Sequence, residues 1–85
     1  MEIRFTARFK KQFSKLPTPM KDLAKKQLGF LLSDPQHPSL NLKKMQDPRD
    51  IWEGRITKSY RFTFQIQGGT YVLRNVGTND ILRKP

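Results

Sequence analysis

Ile3 and Phe5 alternate with Glu2 and Arg4, which predicts a short strand over Met1 to Phe5 with one side exposed. Thr6 is placed to cap a helix in which Phe9, Phe13 and Leu16 recur at i, i+4 and i+7, leaving Arg8, Lys10, Lys11 and Lys15 outside. Pro17 ends that helix. Thr18 followed by Pro19 is a restart signal, an N-cap and then proline at the first helical position, and predicts a second helix to about Ser33. Its inner stripe is Met20, Leu23, Ala24, Leu28 and Leu31, with Lys21, Lys25 and Lys26 in solvent. Asp34-Pro35, with Pro38 close behind, stops it.

Residues 35–50 hold three of the six prolines and read as loop, with a short strand at Leu40 to Met45. The period then changes to two. Ile51 to Thr57, Tyr60 to Gln67 and Thr70 to Val76 read as consecutive strands, and Gly68-Gly69 is a hairpin signal because glycine tolerates positive φ. Lys58-Ser59 is a poorer turn. In the middle strand Tyr60, Phe62, Phe64 and Ile66 share one face, and Arg61, Thr63 and Gln65 the other.

An aromatic sheet face must be covered, and two amphipathic helices supply the cover. The expected fold is therefore α+β: one domain over residues 1–85, two N-terminal helices packed on one face of a twisted antiparallel sheet, and an open polar face opposite. That face would carry Glu53, Arg55 and Thr57 beside Arg61, Thr63 and Gln65. Arg74 shares a face with Val72 and Val76, so its side of the sheet is not settled by alternation.

Charge narrows the partners. Seventeen Lys and Arg against seven Asp and Glu give +10 at neutral pH. The two parts 1–34 and 35–85 carry +5 each, so the excess belongs to a folded surface and points to polyanions. There is no cysteine, hence no disulfide and no thiolate metal site. No apolar run approaches the roughly 18 residues that cross a bilayer, and the opening residues are charged where a secretory segment is apolar. A cytoplasmic protein with no membrane partner, metal or cofactor is expected.

His37 is the sole histidine, which excludes Ser-His-Asp catalysis, a His-rich zinc site and a two-histidine ribonuclease. In a proline-rich loop such a residue is most often solvated or stabilises a turn. Gly68-Gly69 lacks the downstream lysine of a phosphate loop. What remains is arginine: guanidinium groups on a rigid sheet stay charged, bind phosphate bidentately and stabilise charge developing on a phosphoryl group. The competing reading is that Arg55 and Arg61 pair with Glu53 across strands, each pair contributing about 0.2–1 kcal/mol. Pattern leaves both open. Lys43 and Lys44 point to opposite faces and read equally well as solvated or RNA-contacting, and Trp52 and Tyr60 are more often core than base-stacking platforms.

The segments Pro35 to Leu40, Leu42-Lys43-Lys44-Met45, Ile51-Trp52-Glu53-Gly54-Arg55-Ile56, Ser59-Tyr60-Arg61-Phe62 and Val76-Gly77-Thr78-Asn79-Asp80 occur in that order across nearly the whole chain. The series resembles the RelE/ParE superfamily of toxins from bacterial and archaeal toxin–antitoxin systems. The resemblance implies two helices on a twisted antiparallel sheet and, in the RelE and YafQ branch, a ribosome-dependent endoribonuclease that cuts mRNA in the A site. Its chemistry is attack of a ribose 2′-hydroxyl on the adjacent phosphate, which needs a base, cations at the phosphate and an acid at the departing 5′-oxygen.

By that resemblance Arg61 stabilises the phosphate, Arg55 assists, and Glu53 either accepts a proton or holds an arginine in place. Lys43, Lys44, Arg74 and Arg83 are the candidate RNA contacts. Asn79 stands where the YafQ-like branch carries a proton-transfer residue, and an amide can only hydrogen-bond. Three explanations follow: an attenuated form, catalysis by Glu53 or Asp80 with the arginines, or no nuclease activity, as in a ParE-like gyrase inhibitor or a basic RNA- or ribosome-binding domain. The implied partners are the ribosome, mRNA and a cognate antitoxin with an acidic, partly disordered segment.

Overall fold

A computed structural model describes all residues from 1 to 85. The chain runs through β1 (Glu2–Phe5), α1 (Ala7–Ser14), α2 (Thr18–Ser33), a 3-10 turn at Pro38–Leu40, β2 (Lys43–Lys44), β3 (Trp52–Arg55), β4 (Tyr60–Gln67), β5 (Thr70–Thr78) and a 3-10 helix at Asn79–Arg83. The five strands form one sheet in the order β1-β5-β4-β3-β2. Strands β2 to β5 pair antiparallel as expected. β1 departs from that pattern and pairs parallel with β5, because α1 and α2 carry the chain away and the next pairing strands return from the far side. No helix is long and apolar enough to cross a membrane.

Thr6 caps α1 as its position suggests: its hydroxyl oxygen accepts from the Phe9 amide at 3.2 Å. It also donates to the Arg74 carbonyl at 3.3 Å, which ties the helix start to β5. Beyond Phe5 the edge of β5 loses its β1 partner, and Gln12 replaces it. The Gln12 amide oxygen accepts from Val76 N–H at 2.9 Å and its nitrogen donates to Asn75 Oδ1 at 3.0 Å. α2 starts one residue earlier than its restart signal suggested, with Pro17 at the cap and Thr18 already helical.

Helix α1 ends at Ser14, short of Pro17, and Phe9, Ala24, Leu28 and Leu31 from the helices, with Leu16 from the link between them, meet Phe62, Phe64, Tyr71, Leu73 and Val76 from the sheet to form the core. Leu23, expected inside, is 38% exposed. The inner stripe of α2 instead runs Met20, Ala24, Gln27, Leu31, at spacings of four, three and four, with Gln27 buried at 5% exposure. Ile66 is 50% exposed, since it lies where β4 approaches the Gly68-Gly69 turn and runs past the helical cover. Both turn glycines have positive φ, +53° and +79°, as a tight hairpin requires.

The opposite face is open only in part. Thr63, Asn75 and Glu53 are buried there. Residues after β5 fold back over it, and the main-chain oxygen of Pro85 accepts from the Thr63 hydroxyl (3.2 Å), Asn75 Nδ2 (2.7 Å) and Arg74 Nε (3.0 Å). A β-bulge explains Arg74: Thr63 pairs with Asn75 but Phe64 with Leu73, so Arg74 is the extra residue and joins Asn75 on the polar side.

Candidate functional site

Strand register builds the site row by row. Lys43, Glu53, Thr63 and Asn75 lie across β2, β3, β4 and β5 in one row, and Arg55, Arg61 and Gly77 form the next. Residues two apart on a strand share a face, so both rows belong to the polar side. Arg55 and Arg61 are direct cross-strand partners. Side chains so placed have Cβ atoms about 4.5–5.5 Å apart, and like charges there repel.

Neither guanidinium has a counter-ion. The ion pairs of the chain are Lys44–Asp50 at 3.1 Å and Arg49–Asp47 at 2.8 Å. The pairing of Arg55 or Arg61 with Glu53, open at the sequence level, is therefore not made. Arg61 Nη2 donates to the Lys58 carbonyl at 3.1 Å. The Nε atoms of both arginines are buried without any hydrogen-bond partner. An unmet buried donor costs about 1–3 kcal/mol, so the two arginines are held in this row at a cost in stability.

Local structure holds the pair in place. Gln27 Nε2, at the centre of α2, donates to the Arg55 carbonyl at 2.9 Å and lies 3.3 Å from both the Ser39 carbonyl and hydroxyl oxygens. One amide thus fixes the end of β3 to α2 and to the segment leading into β2. At the other end of the pair, the Thr57 hydroxyl oxygen accepts from the Ser59 and Tyr60 amides, which makes Lys58-Ser59 a defined turn and starts β4 in register. Gly77 faces Arg61 from β5 with no side chain; a Cβ there would stand 3.1 Å from Ile81 Cγ2, so its absence lets the 3-10 helix close on the sheet.

The structure thus brings Arg55, Arg61, Glu53 and Lys43 onto one polar surface. Glu53 sits between Lys43 and Thr63 and is buried, while Lys43 is exposed. Lys44 is not brought there: its register places it beside Trp52 on the other face, and Asp50 neutralises it. Asn79, Asp80 and Arg83 are exposed on the 3-10 helix after β5. Asp80 lines a surface recess with Arg8, Gln12, Asn75, Ile81 and Lys84, toward α1. Arg74 is engaged by Pro85 and by Gln65 Oε1 at 2.9 Å. Burial weakens its hold on its proton, and the nearby positive charges of Arg49 and Arg8 add to the effect.

His37 is a turn residue. Its ring stacks on Phe30 with centroids 3.9 Å apart, and Nδ1 accepts from the Ser39 amide at 3.2 Å, capping the 3-10 turn. Sequence reading missed Gln27. Its signal was present in the pattern, as a polar residue at a stripe position between Ala24 and Leu31.

No family model and no curated protein sequence matches the chain. Solved structures do. The YafQ structure from E. coli strain BL21(DE3) superposes with a TM-score of 0.78 at 13% identity, over 95% of this chain and 96% of that one. A YoeB/ParE toxin from Agrobacterium tumefaciens gives 0.76 at 13% identity, over 93% and 99%. The RelB-RelE antitoxin–toxin complex from Methanococcus jannaschii gives 0.75 at 17% identity, over 94% of each chain. The fold of this chain is that of the RelE, YafQ and YoeB/ParE toxins.

Proposed function

We propose that the chain is the toxin of a toxin–antitoxin pair and that it cleaves mRNA on the ribosome, with Arg55 and Arg61 clamping the scissile phosphate. The observation that carries this reading is the facing arginine pair with two buried, unpartnered Nε donors. A phosphate held by both guanidinium groups accepts charge-assisted hydrogen bonds from them and offsets their like charge. As the 2′-oxygen attacks, negative charge grows on the non-bridging oxygens, and fixed guanidinium groups stabilise that state more than the ground state.

Glu53 is one pleat from Arg55 on the same face, and in this reading it accepts the 2′-hydroxyl proton. Lys43, on the adjacent strand, and Arg83 neutralise flanking phosphates. Asn79 is an amide and arginine does not release its proton, so neither protonates the departing 5′-oxygen. The departing 5′-oxygen then takes its proton from water, and cleavage is slow. In the M. jannaschii structure RelE is held by the antitoxin RelB; here an acidic antitoxin segment would cover the cationic face in a complex that weakens as salt rises.

Asn79 also favours a second reading, a ParE-like inhibitor of DNA gyrase that needs no proton transfer. Toeprinting on programmed ribosomes separates the two. New mRNA ends in the A site, lost in Arg61→Gln, support cleavage. Gyrase-dependent DNA breaks without mRNA cuts support the inhibitor and overturn the nuclease reading.

A further inference from the structure

The polar face carries a second cationic place, away from the Arg55 and Arg61 row. A recess of about 190 Å³ between the start of α1 and the β5 bulge is lined by Thr6, Arg8, Arg74 and Asn75, with no apolar residue. The bulge creates it by turning Arg74 to the side of Asn75. Arg74 Nε and Nη1 are bound to Pro85 and Gln65, which fixes the guanidinium plane, while Nη2 makes no hydrogen bond. Arg8 is exposed and forms no ion pair.

The surrounding charges are mostly positive. Arg49 and Arg8 both act on Arg74, and Asp47, the acid that opposes them, is already bound by Arg49 at 2.8 Å. An adjoining recess of about 370 Å³ shares Arg8 and Asn75 and adds Lys84, against the single carboxylate of Asp80. The Thr6 hydroxyl and the Asn75 amide are already bound to the Arg74 carbonyl and to Pro85, so the free donors are the Arg8 guanidinium and Arg74 Nη2, two groups of the kind that hold a phosphate.

We infer that this recess is a second phosphate seat, taking a backbone phosphate of the same RNA strand that lies on Arg55 and Arg61. This rests on the RNA reading above. Gln65, which orients Arg74, lies four residues along β4 from Arg61 on the same face, a separation of about 13 Å at roughly 3.3 Å per residue. A continuous strand therefore reaches both seats only if it spans several nucleotides. RNA is favoured over an acidic protein segment because the recess offers no apolar anchor, and because it shares its face with the arginine pair.

The test titrates 2′-O-methylated oligouridine, which cannot be cleaved, into the full chain at several salt concentrations, using a dinucleotide and an octanucleotide. Arg61→Gln should weaken both. Arg8→Gln should leave the dinucleotide unchanged, weaken the octanucleotide about tenfold and reduce the slope of log affinity on log salt by about 0.7, with Arg8→Lys keeping the slope. Arg8 is exposed on a helix, and circular dichroism checks that its variants fold. An octanucleotide affinity and slope unchanged in Arg8→Gln, with Arg61→Gln still harmful, overturns the second seat and leaves the arginine pair standing. If Arg8→Gln weakens polyglutamate but not RNA, the seat serves an acidic protein and the inference falls. If the wild-type chain binds neither oligonucleotide, or Arg61→Gln has no effect, both readings fall.

Discussion

Arg55 and Arg61 face each other directly across β3 and β4, and each keeps a buried Nε without a partner. The pair gains little in the free protein: neither arginine has a counter-ion, and the pair's one side-chain hydrogen bond is from Arg61 Nη2 to the Lys58 carbonyl. Such a pair makes physical sense as a place prepared for an anion.

Arg61→Gln is expected to lower mRNA cleavage about 100- to 1,000-fold, the cost of removing one donor aimed at developing charge. Thermal stability should hold or rise, because a repulsion is removed. Arg55→Lys keeps the charge but loses the planar fork, and should also reduce cleavage. Parallel losses of stability and activity, measured by thermal melts and primer extension, would make the pair a structural feature instead.

Gln27→Leu removes the amide that serves Arg55 and Ser39 together. Leaving those acceptors unmet should cost about 1–3 kcal/mol. For a domain of this size each kcal/mol lowers Tm by about 4–8 °C. A melt indistinguishable from wild type would show that water replaces the amide at no cost.

Gly54→Ala is expected to be more damaging than its size suggests. A Cβ at Gly54 would overlap the Phe62 ring, which lies over that backbone from the neighbouring strand. Phe62 is fully buried and has no room to retreat, so overpacking should cost about 1–3 kcal/mol. Urea denaturation measures it, and an unchanged midpoint would contradict the packing described.

Asp47 should titrate unusually low. Hydrogen bonds from the Arg49 side chain and backbone amide bring its pKa from 3.8 down to about 2. A depressed carboxyl pKa contributes stability that is complete above about pH 4 and is lost as pH falls toward 2. Carboxyl NMR should place its midpoint near the low end of that window, and Arg49→Gln should move it back up. A midpoint already near 3.8 in the wild-type chain would show that the pair does not form in solution.

Much of the fold was legible because period and punctuation agreed. Phe9 and Phe13 marked α1, Phe62 and Phe64 marked the buried face of β4, and Gly68-Gly69 marked the hairpin. The parallel pairing of β1 was not legible, since alternation says which face a residue takes and nothing about its neighbour strand. Arg74 defeated alternation because one bulged residue shifts the parity of everything before it. The cover over Thr63 and Asn75 was hidden for another reason: it is made by a main-chain oxygen of Pro85, and backbone atoms leave no trace in residue type.

The most direct measurement is an NMR titration of the arginine Nε–Hε resonances with a 2′-O-methylated RNA that cannot be cleaved. The Hε signals of Arg55 and Arg61 should move together to lower field and become more protected from exchange as the two guanidinium groups take up a phosphate. If both stay in place while RNA binds through other residues, the arginine pair is not the phosphate site and the proposed chemistry fails.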